Sequence, residues 1–320
     1  MDAPRQGVYA AIDFGSNTVH LLVARSDGHS VEALDDKSKL VGLGVDLEQS
    51  GALGPKRLRA AATATRTYVR RARVAGARRV LVLATQAVRA ATNRAEAVAV
   101  VEAACGEPVL VLEPEREAEL AVLAVGLHHT GAEPHLVVDV GGASTQLIVA
   151  ERDAVRACRS VPVGSGRLGV YLAHEPPTPD EVAAVQRRIG LAVAPAAAAL
   201  LAEQGQPGGA VVTGGASKRL ARLFATDPPT RLTLDVLLGG FASLLGQPAP
   251  VVAERGRIKA NRVPMTRVGA LILAEVLRAA RLVDCIVSPY GIREGAILDA
   301  ARAAFGPTPE HTKPGGIPRE

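Results

Sequence analysis

Two segments of the chain repeat one pattern, and that repeat restricts the fold more than any other feature. Ala11-Ile-Asp-Phe-Gly-Ser-Asn-Thr-Val-His-Leu-Leu-Val-Ala24 and Val138-Asp-Val-Gly-Gly-Ala-Ser-Thr-Gln-Leu-Ile-Val-Ala150 both read as apolar strand, aspartate, glycine-bearing turn, hydroxyl residues and a second apolar strand. They lie roughly one domain length apart. Phosphate loops of the common strand-to-helix kind continue into a helix after the glycines. Here Thr-Val-His-Leu-Leu-Val-Ala follows Asn17, so each unit is a β-hairpin. Two copies of such a unit predict two related α/β domains facing one another, with a site between the two turns.

The rest of the chain fits two domains. Strands at 8–13 and 18–24 lead to a basic amphipathic helix at 55–74 and a continuously apolar strand at 79–85, suited to a sheet covered on both faces. A helix at 93–105 ends at Gly106; a short strand follows at 108–112. A helix at 115–127 has acidic residues in its first turns, where the helix dipole favours them. The polar loop 128–134 reads as the boundary. Strands then recur at 135–139, 144–150, 155–163 and 209–213, with a Pro-rich break at 175–179 and helices at 180–203 and 215–224. Further helices fall at 232–245, 264–280 and 292–305, with a strand at 282–288 between the last two. This places one domain at 1–128 and another at 129–305, its last helix able to pack back on the first. The Pro/Gly-rich polar stretch 306–320 reads as a disordered tail.

Composition narrows the partners. Nearly half of the 320 residues are apolar, enough for a core in each domain. The net charge of +5 favours a polyanionic partner, but with no Trp, four Tyr and four Phe there are few platforms on which bases stack. Phosphate groups suit such a chain better than nucleobases, and no nucleic acid partner is expected. The polar start does not read as a signal peptide. The Ala-rich stretch 190–201, broken by Pro195, is too short to span a bilayer and reads as a helix packed in a globule. Cys105, Cys158 and Cys285 match no metal spacing and read as free thiols of a reducing compartment. A cytoplasmic protein without a membrane partner is expected.

The turns carry the candidate chemistry. Gly15, Gly141 and Gly142 let backbone approach a ligand closely. Ser16, Asn17, Thr18, Ser144 and Thr145 can donate to phosphate oxygens, as turn amides do. Asp13 and Asp139 end their strands at the turns, where carboxylates hold a divalent cation directly or through water.

At this point the chain resembles the Ppx/GppA phosphatase family. Asp13-Phe-Gly-Ser-Asn-Thr resembles that family's first phosphate motif, and Asp139-Val-Gly-Gly-Ala-Ser-Thr-Gln146 its second, Asp-Ile-Gly-Gly-Gly-Ser-Thr-Glu. Ala84-Thr-Gln-Ala-Val-Arg89, Glu117-Ala-Glu-Leu and Gly291-Ile-Arg-Glu-Gly295 match further motifs in order. The likeness runs from about residue 8 to about 305. It is nearest to short members without C-terminal helical and HD-type domains.

The resemblance implies an actin-like fold of the acetate kinase/hexokinase/actin, ribonuclease H-like kind, duplicated about a central cleft. It implies hydrolysis of phosphoanhydrides with Mg²⁺ or Mn²⁺, the substrate being inorganic polyphosphate or guanosine penta- or tetraphosphate. Homodimers are frequent in the family. Glu117 becomes the general base and Arg89 the cation that neutralises the transferred phosphoryl group. Asp13, Asp139 and Gln146 become the metal ligands. Gly164-Ser-Gly-Arg-Leu168 matches another family stretch. Thr213-Gly-Gly-Ala-Ser217 falls where the family has a phosphate or nucleotide turn, which adds Gly214 and Ser217; Lys218 and Arg219 would extend a basic track. Arg293 and Glu294 read as a structural pair.

Three departures stand out. Ala143 replaces a glycine, tolerable if its φ is negative; Arg116 replaces the first Glu of the Glu-Glu-Ala motif; and Gln146 replaces a Glu. The last removes a charge where Mg²⁺ prefers charged oxygens. Two alternatives follow, a weakly catalytic sensor of polyphosphate or alarmone, and an ATP-dependent kinase of the same superfold.

Overall fold

A computed structural model describes residues 6–129, 131, 133–224 and 230–305. The expected disordered tail at 306–320 lies outside the described residues. The first repeat contains strands β1 (Gly7–Phe14), β2 (Thr18–Ser26), β3 (Val31–Leu40), β4 (Arg79–Ala84) and β5 (Val109–Val111). Its helices are α1 (Leu43–Ser50), α2 (Pro55–Val74), α3 (Gln86–Arg89), α4 (Arg94–Cys105) and α5 (Pro114–Gly126). The second contains β6 (His135–Val140), β7 (Thr145–Glu151), β8 (Ala154–Val161), β9 (Ala210–Thr213), β10 (Arg231–Thr233) and β11 (Asp284–Val287). Its helices are α6 (Ser165–Gly169), α7 (Pro179–Gln204), α8 (Gly215–Phe224), α9 (Leu234–Gly246), α10 (Ala249–Arg255), α11 (Val263–Ala279) and α12 (Ile292–Phe305).

The sheets show the duplication directly. The first has the order β3-β2-β1-β4-β5; read from its other edge, the second runs β8-β7-β6-β9-β11, with β10 added beyond. In each, a meander of three antiparallel strands is followed by two strands joined in parallel. This is the duplicated actin-like α/β fold.

The helices form layers. Helices α2 and α4 cover the outer face of the first sheet, through Leu58, Tyr68, Val69, Ala97 and Val101. Helices α7, α9 and α11 cover the outer face of the second. Between the sheets lie α5 and α12, and each sits on the sheet of the other repeat. Ala118, Ala121, Val122 and Val125 of α5 pack on Val137, Ile148, Ala150 and Val211. Ala296, Ile297, Ala300 and Ala301 of α12 pack on Tyr9, Ala11, Leu22 and Leu83.

Helix α7 starts after the Pro-rich stretch at a capping box, in which Thr178 Oγ1 accepts from Glu181 N at 3.3 Å and Glu181 Oε2 accepts from Thr178 N at 2.9 Å. The helix runs through Pro195 without a break. By length and composition alone it is apolar enough to cross a membrane. Its buried residues, among them Val185, Ile189, Val193, Ala197 and Leu200, keep one stripe on either side of the proline.

Candidate functional site

Both hairpin turns close with the same bond. Gly15 N donates to Thr18 O at 3.2 Å, and Gly141 N donates to Ser144 O at 3.0 Å. The strand registers set Asp13 opposite His20 and Asp139 opposite Gln146. The two aspartates therefore occupy equivalent places in the two sheets, and the turns beyond them face each other. A cleft of about 510 Å³ lies between the turns. Asp13, Gly15, Ser16, Asn17, Thr18, Glu117, Asp139, Gly141, Gly142, Ser144, Gln146 and Gly214 all line it.

Glu117 enters from the first turn of α5, whose seat on the second sheet brings the carboxylate to the cleft floor. Its Oε1 accepts from Arg89 Nη1 and its Oε2 accepts from Gln146 Nε2 at 3.2 Å. Burial pushes its pKa up, against the opposing pull of Arg89 and Gln146. Burial pushes Asp13 further, to about 7, with Glu117 and Asp139 adding to the rise and Arg293 resisting it. Asp139 rises to about 6, through burial and then Glu117, against Lys218. Three buried carboxylates thus share one floor, where Glu117 makes both aspartates more costly to ionise and Asp139 adds to the cost at Asp13.

Three residues expected at the site do not line the cleft. Strand alternation explains Thr145: Ser144 and Gln146 face the cleft, so Thr145 faces inward, and its hydroxyl donates to Val163 O at 2.7 Å. Ser217 is fully buried in the first turn of α8 and its hydroxyl donates back to Thr213 O at 2.9 Å. Arg89 sits behind Glu117, with Nη1 also on Leu112 O and Nη2 on Gln86 Oε1 at 2.7 Å. Its guanidinium holds the carboxylate in place and is not free to meet a phosphoryl group.

Other residues were not anticipated. The second lobe's wall carries Arg222, Arg257, Lys259 and Arg262 beside the expected Lys218 and Arg219. Burial lowers Lys218, and it lowers Arg219 to about 10, with Arg262 and Arg222 adding to that fall. The signal was available in Gly256-Arg-Ile-Lys-Ala-Asn-Arg262, three cations without a carboxylate before a helix. Arg257 holds a φ of 47°, a strained value for a non-glycine residue. His20 was missed although the repeat aligns it with Gln146. Burial, then Arg293 and Arg262, lower its pKa to about 3, so it faces the cleft as a neutral imidazole.

Arg293 and Glu294 also line the cleft. They stand 4.0 Å apart, and each has a nearer partner: Arg293 donates to Asp36 Oδ1 at 2.8 Å and Leu21 O at 2.9 Å, while Glu294 accepts from Gly291 N at 2.9 Å. Arg293 thus ties α12 to β2 and β3, while Glu294 holds the backbone just before its own helix. Of the departures, Ala143 has no positive φ and fits its turn. Arg116 pairs with Glu119 and Asp299, away from the cleft.

Among the described residues no three His, Cys, Asp or Glu side chains form a closed metal site. The floor nevertheless suits a hard cation. Asp13 Oδ1 and Gln146 Oε1 are buried without hydrogen-bond partners, and both aspartates lack a counter-charge sufficient to keep them in the usual carboxylate range. Mg²⁺ fits this donor set, because it commonly takes one or two carboxylates and completes its shell with water and substrate phosphates. Ser16 Oγ is a third buried polar atom without a partner, at the turn opposite Gly142. The cleft thus offers carboxylates for a cation, unused donors for phosphate, a positioned base and a wall of cations.

Comparison with known proteins agrees with this geometry. The model of the Ppx/GppA phosphatase family matches residues 22–304. Exopolyphosphatase 1 of Mycobacterium leprae is 30% identical over 301 residues, covering 90% of this chain and 87% of that protein. The Vibrio cholerae guanosine-5'-triphosphate,3'-diphosphate pyrophosphatase is 34% identical over 159 residues, which is 49% of this chain and 32% of that protein. The crystal structure of the Aquifex aeolicus Ppx/GppA family member superimposes with a TM-score of 0.76 at 25% identity, covering 94% of this chain and all of that one.

Proposed function

Since the chain belongs to the Ppx/GppA phosphatase family, we propose that it is a metal-dependent exopolyphosphatase, for which inorganic polyphosphate is a better substrate than guanosine pentaphosphate. The observation that carries this reading is the cleft itself: carboxylates on the floor, Lys218, Arg219, Arg222, Arg257, Lys259 and Arg262 on one wall, and no Phe, Tyr or Trp in its lining. A linear chain of phosphates meets charge along its whole length there. A guanine base finds no Phe, Tyr or Trp face to stack on there, only the small imidazole of His20.

The mechanism follows from the positions. The terminal phosphate lies between the two turns, where Ser16 Oγ and the turn amides donate to its oxygens. Glu117, ionised and held by Arg89 and Gln146, accepts a proton from a water aligned with the terminal phosphorus. As the water oxygen bonds to phosphorus, the bridging P–O bond opposite breaks, and the shortened chain leaves as an anion. Asp13 and Asp139 would hold Mg²⁺, which would supply positive charge to the phosphate oxygens. The cations of the wall balance charge on the departing chain, and a base so placed is worth roughly 10²–10⁴ in rate.

Phosphate release is the test, measured on long-chain polyphosphate and on guanosine pentaphosphate, with Mg²⁺ and then with a chelator. Expected is metal-dependent release with the higher kcat/KM on polyphosphate. Preference for the guanosine compound would overturn the substrate assignment. Tight binding of polyphosphate without turnover would favour the sensor, the reading that the neutral Gln146 supports.

A further inference from the structure

Helix α2 departs from the charge pattern expected of an exposed helix. It carries seven Lys or Arg and no Asp or Glu. Arg57, Arg71 and Arg73 pair with Asp46, Asp35 and Glu107 on neighbouring elements. Lys56, Arg59, Arg66 and Arg70 are exposed, and no carboxylate partners them among the described residues. Their spacing puts these four on one face, roughly opposite the buried Leu58, Ala61, Thr65 and Ala72. The stripe is about 21 Å long at 1.5 Å per residue.

This arrangement costs the free protein stability. Lys56 stands in the first turn, at the positive end of the helix dipole, where acidic residues are favoured, and Arg59 follows in the second. Lys56 with Arg59 and Arg66 with Arg70 are like-charge neighbours, each pair unfavourable by about 0.2–0.5 kcal/mol. An uncompensated local cost of this kind points to a bound partner. The helix start also adjoins the site. Arg57 lies against Gly42, with Nε 3.5 Å from where a Gly42 Cβ would stand. Gly42 N donates to Asn17 O at 3.0 Å and Gly44 N to Ser16 O at 2.7 Å.

We propose that the α2 stripe is an exosite that binds the distal phosphates of a long polyphosphate whose end occupies the cleft. This rests on the exopolyphosphatase reading. The chemistry of the stripe selects the partner. Between the cations stand Thr63 and Thr67, whose hydroxyls donate back to Arg59 O and Thr63 O at 2.9 Å, so the cations alone would meet the phosphates. The stripe has no aromatic side chain for a base, and its one large exposed apolar residue, Val74 at the helix end, is too little to bury in a lipid surface. Regular cations on a straight helix match a flexible linear polyanion.

The test compares wild type with Lys56→Gln/Arg59→Gln/Arg66→Gln/Arg70→Gln, with circular dichroism as a check on folding. Phosphate release is measured on chains of hundreds of phosphates and on tripolyphosphate, and binding of labelled long chains is measured separately. Expected is a rise of about tenfold or more in KM and Kd for long chains, with kcat and the tripolyphosphate kinetics unchanged. The salt dependence of long-chain Kd should also flatten, by roughly 0.7 in log–log slope per lost contact. Equal Kd values in variant and wild type would overturn the exosite. So would tighter wild-type binding, lost in the variant, to single-stranded RNA or to anionic vesicles than to polyphosphate. The binding arm needs no turnover, so a protein that binds long chains through the stripe without cleaving them would sink the hydrolase reading and leave the exosite standing.

Discussion

At Glu117 burial and hydrogen bonding act in opposite directions. Burial favours the protonated acid, while Arg89 and the Gln146 amide donate to the carboxylate and favour the base. Glu117→Gln keeps the shape and removes the proton acceptor. Turnover should fall by about 10²–10⁴ while Kd for polyphosphate stays near that of wild type; unchanged phosphate release would refute the base assignment. Asp13 yields a stability prediction. Its folded pKa of about 7 lies above the ordinary value of 3.8, so between those limits the folded state holds more protons than the unfolded one. Without metal, stability therefore falls as pH rises through that window, and Asp139 adds to the fall up to about 6. In chelator, Asp13→Asn should raise the melting temperature at pH 8 by at least about 2 °C and change it little at pH 4. A drop at pH 8 would show that the ionised Asp13 is well compensated without metal. At this scale the sequence reveals most of the site, because a hairpin repeat fixes which strand-end residues face the cleft. It misleads at Thr145, where the motif runs on past the point at which alternation turns the side chain inward. It is silent on what Arg89 touches, since a residue's partners across the fold are not written in its neighbours.

Most helices and strands are legible because burial leaves a period. Helix α2 falls where its apolar spacing predicts. Strand β3 is not legible: it is an edge strand exposed over most of its length, so nothing separates it from a polar loop. The seat of α5 on the second sheet is hidden too, because an apolar stripe does not say which sheet it covers. The crossing of α5 with α12 explains one motif glycine. A Cβ at Gly295 would overlap the carbonyl oxygen of Leu120, a backbone atom that no rotamer change can move. Gly295→Ala should destabilise the protein by about 1–3 kcal/mol, as overpacking does, and lower activity as well, because α5 carries Glu117. Thermal unfolding with steady-state kinetics checks both; wild-type stability would mean that the helices part without cost.

Across the whole molecule, the two lobes meet at the cleft. Arg262 Nη1 donates to Thr18 Oγ1 at 2.8 Å, and Glu48 of α1 pairs with Arg167 of α6 at 2.7 Å. The turns themselves come close together, and Asn17 Nδ2 stands nearer still to Gly166 of α6. A Cβ on Gly142 would overlap Ser16 Oγ and stand 3.1 Å from Asn17 Nδ2, although Gly142 has no positive φ that would itself demand glycine. Glycine is needed there for the meeting of the lobes and not for the shape of its own turn. Gly142→Ala should therefore leave each lobe folded, with the melting temperature within about 2 °C of wild type. It should, however, turn the Ser16 hydroxyl aside or hold the turns apart, and either displaces the terminal phosphate from the line of attack. Misplacement of reacting groups by about 1 Å costs on the order of 10² in rate, so kcat/KM should fall by at least about that factor. Gly141→Ala is the control, because its Cβ would meet only Ser144 O of the same turn, at 2.9 Å. A loss confined to Gly142→Ala would place the closed contact of the two turns on the reaction path. Equal losses in both variants would trace the effect to turn geometry, and wild-type activity in Gly142→Ala would mean that turnover proceeds with Ser16 turned aside or the lobes further apart.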